Sequence, residues 1–168
     1  PTDRRGRPNR LPSSASLTAF ESHSGRRLWQ TESTTVTPIS LAISGGQVFY
    51  HDGAAVVCLD ATTGQEQWTT TAVGLAASVW NTNTTLLVYR DVVLCGNPKQ
   101  VCGLSVSDGK TLWKLPGVRG FGVGNPPDLF VADGLLWYGR GGAEPRSMIG
   151  YDPRTGKPAR TVACGPVS

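Results

Sequence analysis

Any chemistry in this chain would have to come from four cysteines, two histidines, twelve acidic residues and one glycine-rich stretch. Cys58, Cys95, Cys102 and Cys164 contain no Cys-x-x-Cys pair, and neither His23 nor His51 has a cysteine at ligand spacing. A zinc site needs three or four converging ligands, so no metal ligand is assigned, and both histidines, standing in turn contexts, are expected to be solvated loop residues. No Gly-x-Ser-x-Gly elbow presents a nucleophilic serine. The stretch from Gly117 to Pro127 invites a phosphate-loop reading. It fails because no Lys-Ser or Lys-Thr follows, Pro126 and Pro127 oppose a helix start, and no strand–helix–strand unit surrounds it. Asp91, Asp128 and Asp133 read as turn or surface residues. Cys95 and Cys102 are the pair of interest: if 97–100 is a hairpin loop, residue 95 faces residue 102. A cross-strand disulfide is then geometrically open, and two free buried thiols are the other reading. Cys58 and Cys164 read as small packing residues. No catalytic or cofactor-binding residue is identified.

These residues sit on a repeat. With Gly64 as origin, Asp60 stands four residues before it, the small residue Cys58 six before, and Trp68 four after. The pattern returns around Gly25 with Ala19, Glu21 and Trp29, and around Gly109 with Gly103 and Trp113, although Ser105 replaces the acid. A fourth copy around Gly156 keeps Gly150 and Asp152 but has Arg160 in the tryptophan's place. The origins are 39, 45 and 47 residues apart, near the period of solenoid and propeller repeats. Between them the chain consists of short β-branched and aromatic runs broken by Gly, Asp and Asn turns. Apolar residues never recur at helical spacing, which excludes the helical repeats.

The run Cys58 to Trp68 resembles the quinoprotein-like (PQQ-like) β-propeller repeat, whose docking motif runs small-x-Asp-x-x-x-Gly-Lys-x-x-Trp. The resemblance implies an all-β propeller of four-stranded blades, in which the motif joins the last two strands of each blade and its tryptophan packs on a neighbouring blade. That role then falls to Trp29, Trp68 and Trp113, with Gly25, Gly64, Gly109 and Gly156 in the turns and Asp60 and Asp152 in the acidic place. An indole at one fixed position per repeat supplies apolar area to the seam between sheets that cannot bury both faces alone. The expected organisation is a basic Pro- and Ser-rich linker over 1–16 and a half blade over 17–35. Full blades then follow at about 36–75, 76–116 and 117–168. That makes about three and a half blades of a seven- or eight-bladed ring, so the chain is expected to be a piece of a longer protein.

The net charge of +4 is concentrated at the start, where Arg4, Arg5, Arg7 and Arg10 face only Asp3. With Pro1, Pro8, Pro12 and the Ser-Ser-Ala-Ser run, this reads as a solvated linker rather than a nucleic-acid arm. No run of eighteen apolar residues spans a membrane. The family's dehydrogenases need a calcium site, a carboxylate base and aromatic walls around the quinone. Here the repeat motif itself accounts for Asp60 and Asp152, and the family's adjacent-cysteine pair is absent. The expected function is therefore a noncatalytic scaffold that binds a protein, a ligand or another domain of a longer chain. A quinone-dependent alcohol or sugar dehydrogenase, with pyrroloquinoline quinone and calcium, is the alternative. A periplasmic or extracytoplasmic location is favoured.

Overall fold

A computed structural model describes residues 16–32, 36–37, 40–71, 84–97, 99–117, 128–138 and 147–163. The expected linker over 1–16, the glycine-rich stretch from 118 and Cys164 lie outside the described residues, apart from Ser16. Every element described is a strand. β1 (Thr18–Phe20) and β2 (Arg27–Gln30) form the half blade. The first full blade holds β3 (Leu41–Ser44), β4 (Gln47–His51), β5 (Val56–Asp60) and β6 (Glu66–Thr70). The second holds β7 (Thr85–Tyr89), β8 (Val92–Gly96), β9 (Gln100–Ser105) and β10 (Thr111–Pro116). The third holds β11 (Leu129–Ala132), β12 (Leu135–Tyr138), β13 (Ser147–Tyr151) and β14 (Pro158–Ala163). In each blade the strands are antiparallel and neighbours in space follow chain order, so every blade is an up-and-down sheet. β7 packs against both β3 and β11, which places the first strand of each blade beside its counterpart in the next.

Both faces of the first and second full blades are covered, and strand periodicity sorts the side chains between them. Val48, Tyr50, Val57 and Leu59 point toward the half blade, where Leu17 and Trp29 meet them. Phe49, Val56, Cys58 and Trp68 point the other way, onto Leu86, Val93, Cys95, Cys102 and Leu104 of the second blade. That blade's Val92, Leu94, Val101 and Trp113 meet Leu129, Leu136 and Tyr138 of the third. Each seam is thus a separate hydrophobic core, which is why the middle strands read as unbroken apolar runs.

Leu86 to Cys95 is a hairpin, with Val88 opposite Val93 and Arg90 turning the chain at φ 55°. Cys95 pairs with Cys102 across β8 and β9, and both are free thiols.

Candidate functional site: blade seams and the two ends of the sheets

The four motif glycines close four congruent turns. In each, the glycine N–H donates to the carbonyl of the residue four before it, and that residue's N–H donates to the carbonyl just after the glycine. The pairs are Gly25 to Glu21, Gly64 to Asp60, Gly109 to Ser105 and Gly156 to Asp152, all at 2.8 or 2.9 Å. The glycine φ values run from 67° to 72°, a left-handed conformation that side chains with a Cβ resist. A β-bulge accompanies every copy.

The acids cap these turns. Asp60 Oδ1 accepts from the N–H groups of Thr62 (2.9 Å) and Thr63 (2.8 Å) and from the Thr63 hydroxyl. Asp152 does the same with Arg154 and Thr155. The Thr63 and Thr155 backbone N–H groups are the largest cause holding these two carboxyls below their usual range. Where Ser105 replaces the acid, Asp108 takes over part of the work. The Lys110 ammonium and then the Ser105 hydroxyl hold its carboxyl down at about 2.

Onto the turns at Gly64, Gly109 and Gly156 comes the tryptophan of the preceding blade. Trp29 Nε1 donates to the Ala61 carbonyl, Trp68 Nε1 to Val106 and Trp113 Nε1 to Pro153, each at 2.9 Å. The indole lies so close to the turn glycine that a Cβ on Gly64, Gly109 or Gly156 would approach the ring to 2.6, 2.6 and 2.7 Å. Gly25 has nothing within 4 Å. Three of the four glycines therefore answer two demands, positive φ and contact with an indole. Sequence reasoning placed these glycines in turns and did not reach the indole contact.

The fourth repeat departs from the pattern. Arg160, paired with Gly150 across β13 and β14, is exposed and reaches Asp133 Oδ2 at 3.5 Å. The space against Gly150 is taken instead by Trp137 of β12, whose ring would lie 2.8 Å from a Cβ there. Trp137 Nε1 donates to the Ala132 carbonyl at 3.0 Å. Trp137 falls outside the motif spacing, and the sequence reading missed it. An Arg154–Asp91 ion pair joins the third blade's docking turn to the second blade's first hairpin.

The opposite end of the sheets carries the β4–β5 and β8–β9 hairpins and a correction. His51 was expected as a solvated loop residue, yet it is fully buried at the end of β4. The segment before β3 folds over it: Thr37 N–H donates to the His51 carbonyl at 2.9 Å, and His51 N–H donates to the Ser40 carbonyl at 3.2 Å. Gly53 N–H donates to Nδ1 at 2.9 Å, which leaves the proton on Nε2. Nε2 has no hydrogen-bond partner among the described residues. Burial pushes the imidazole down to about 4, partly offset by the Asp52 carboxylate, so His51 is neutral at pH 7. Asp52 itself caps its turn through Ala54 and Ala55 N–H groups, both at 2.7 Å. His23, by contrast, is exposed, its Nδ1 3.4 Å from the Ser22 hydroxyl.

At the same end, Pro116, Gly117, Tyr138, Ser147, Ile149 and Tyr151 line a cavity of about 280 Å³ between the second and third blades. Tyr138 and Tyr151 stack in its wall with centroids 5.1 Å apart. Among the described residues its lining carries no ionisable group other than phenols. No group of three or more His, Cys, Asp or Glu residues able to hold a metal occurs among the described residues. No helix among them is long and apolar enough to cross a membrane.

Comparison with known proteins follows this geometry. The family model for outer membrane protein assembly factor BamB matches residues 13–162. No curated protein matches. Among solved structures, BamB from Moraxella catarrhalis superposes with a TM-score of 0.63 at 19% identity, over 89% of this chain and 44% of that one. Quinohemoprotein alcohol dehydrogenase from Comamonas testosteroni gives 0.64 at 15% identity, over 89% and 32%. The computationally designed Ika8 protein gives 0.61 at 19% identity, over 87% and 42%. At these identities the likeness is one of fold. The chain spans less than half the length of each of these three structures.

Proposed function

Because the chain belongs to the family of outer membrane protein assembly factor BamB, we propose that it is part of a noncatalytic β-propeller that binds a protein partner, in an extracytoplasmic setting. The carrying observation is how the repeat uses its polar chemistry. Asp60, Asp108 and Asp152 are engaged in their own turns, and the three indoles lock each blade to the next. A frame of this kind holds loops in fixed relative positions without supplying an acid, base or nucleophile. The docking-turn end is occupied by its own capped turns. The end with the His51 and Asn97 hairpins, where the Tyr138–Tyr151 cavity opens, is the surface left for a partner.

Lysine cross-linking of the full-length protein in its native extract tests this. Lys99 lies in the Asn97 hairpin, whereas Lys110 and Lys157 lie beside the docking turns. Cross-links from one partner protein through Lys99, and not through Lys110 or Lys157, support the assignment. The second reading, a quinone-dependent dehydrogenase, shares the propeller fold and makes a different demand. Titration with pyrroloquinoline quinone and calcium would then give a saturable absorbance change with dye-linked alcohol or sugar oxidation. That result would replace the binding reading.

A further inference from the structure

Cys95 and Cys102 stand directly opposite on β8 and β9, and neither has any solvent exposure. The hairpin between them is closed by Asn97 N–H on the Gln100 carbonyl at 2.9 Å. The Asn97 carboxamide oxygen also accepts from Lys99 and Gln100 N–H groups at 2.7 and 2.8 Å. Residues 97 and 100 thus form a hydrogen-bonded pair. Because such pairs alternate along an antiparallel ladder, 95 and 102 form the next one, with Cα atoms about 5.5 Å apart. That spacing suits a disulfide, whose Cα separation runs from roughly 4.4 to 6.8 Å. The Cβ atoms at such a pair sit up to about 1.7 Å wider than the disulfide mean, so bonding draws the two strands together locally.

We propose that Cys95 and Cys102 are a dithiol–disulfide pair, oxidised by a small-molecule or protein disulfide while the β8–β9 hairpin is open and sealed once the blades close. One cysteine thiolate attacks a sulfur of the oxidant R–S–S–R and expels RS⁻, leaving a mixed disulfide. The second thiolate attacks the cysteine sulfur of that bond and expels the other RS⁻. The two thiol protons end on two RSH molecules, the protein loses two hydrogens, and the oxidant gains two electrons. Cys58 shares the seam but stands opposite Trp68, with no thiol across from it. In the closed fold both cysteines have no exposure and share a core with Phe49, Val56 and Trp68, so neither oxidant nor reductant reaches them. The state set during folding is then retained, and it fixes how closely β8 and β9 approach at the seam between the first and second blades.

The experiment refolds the protein from denaturant with either reduced or oxidised glutathione, then measures intact mass and thiols titratable after renewed denaturation. With oxidised glutathione the product loses two hydrogens, and titratable thiols fall from the chain's four cysteines to two. Tryptic cleavage after Lys99 separates the two cysteines, so the bond shows as two linked peptides. A variant carrying Cys58→Ser and Cys164→Ser still loses two hydrogens, whereas Cys102→Ser with those changes does not. Native reduced protein exposed to the same oxidant reacts at least tenfold more slowly. Four titratable thiols in the refolded product, a bond to Cys58 or Cys164, or equally fast oxidation of native protein would each overturn the proposal. None of these readouts depends on what the propeller binds.

Discussion

Gly109 and Gly25 occupy congruent turns at φ 68° and 70°, and they differ in one respect. A Cβ on Gly109 would meet the Trp68 ring at 2.6 Å, and a Cβ on Gly25 would meet nothing within 4 Å. Gly25→Ala therefore bears only the cost of a left-handed conformation, about 1–2 kcal/mol. Gly109→Ala bears that cost and the displacement of an indole from a filled seam, a further 1–3 kcal/mol or about 2–5 in all. The excess belongs to the Trp68 contact, so it should vanish when Trp68 is already alanine. Equilibrium urea unfolding followed by far-ultraviolet circular dichroism measures all four corners of that double-mutant cycle, with an unchanged m-value as the check on comparable transitions. If Gly109→Ala costs no more than Gly25→Ala, or costs the same with and without Trp68, the seam reasoning is wrong.

Trp68→Ala should destabilise by about 3–5 kcal/mol in the same assay, and a loss below about 1 kcal/mol would mean that the indole fills no seam. Trp137, which occupies the space against Gly150, is expected to behave similarly, with Trp137→Ala costing about 3 kcal/mol. His51 makes stability depend on pH in a defined direction. Its folded value of about 4 lies below the unfolded 6.5, so unfolding takes up a proton between those limits. Stability is thus complete above pH 6.5 and falls as pH drops toward 4, by about 2–3 kcal/mol. His51→Gln should flatten that window, because the depressed Asp60 and Asp152 carboxyls act only below their ordinary value of 3.8. A variant as pH-sensitive as the parent would refute the assignment.

The repeat was legible because one motif fixes a bulge, a capped turn and an indole at constant spacing, and each leaves a distinctive residue type. The positions of Trp29, Trp68 and Trp113 followed from that spacing. What each indole touches did not, since Ala61, Val106 and Pro153 lie 32 to 40 residues further on and contribute only a carbonyl. His51 misled because His-Asp-Gly is a turn signal. Its burial comes from Thr37 and Ser40, whose backbone groups pair with its own across the end of β4, a contact that no sequence pattern marks. Arg90 hid a hairpin because it takes positive φ without being glycine or asparagine. The acid missing at Ser105 was recoverable in part from Asp108, three residues on, which the motif pattern does not include.

Hydrogen exchange at the indole N–H groups, read from proton–nitrogen NMR spectra, tests the central claim that blade-to-blade tryptophan docking builds this propeller. Trp68 and Trp113 are predicted to exchange only on global or whole-blade unfolding, because each N–H is held on a carbonyl of the next blade at 2.9 Å. In the Gly109→Ala chain the Trp68 signal should lose protection while the Trp113 signal, whose own seam is intact, keeps it, and in the Trp68→Ala chain the Trp113 signal should stay protected. Exchange of both at the rate of a free indole would contradict the account.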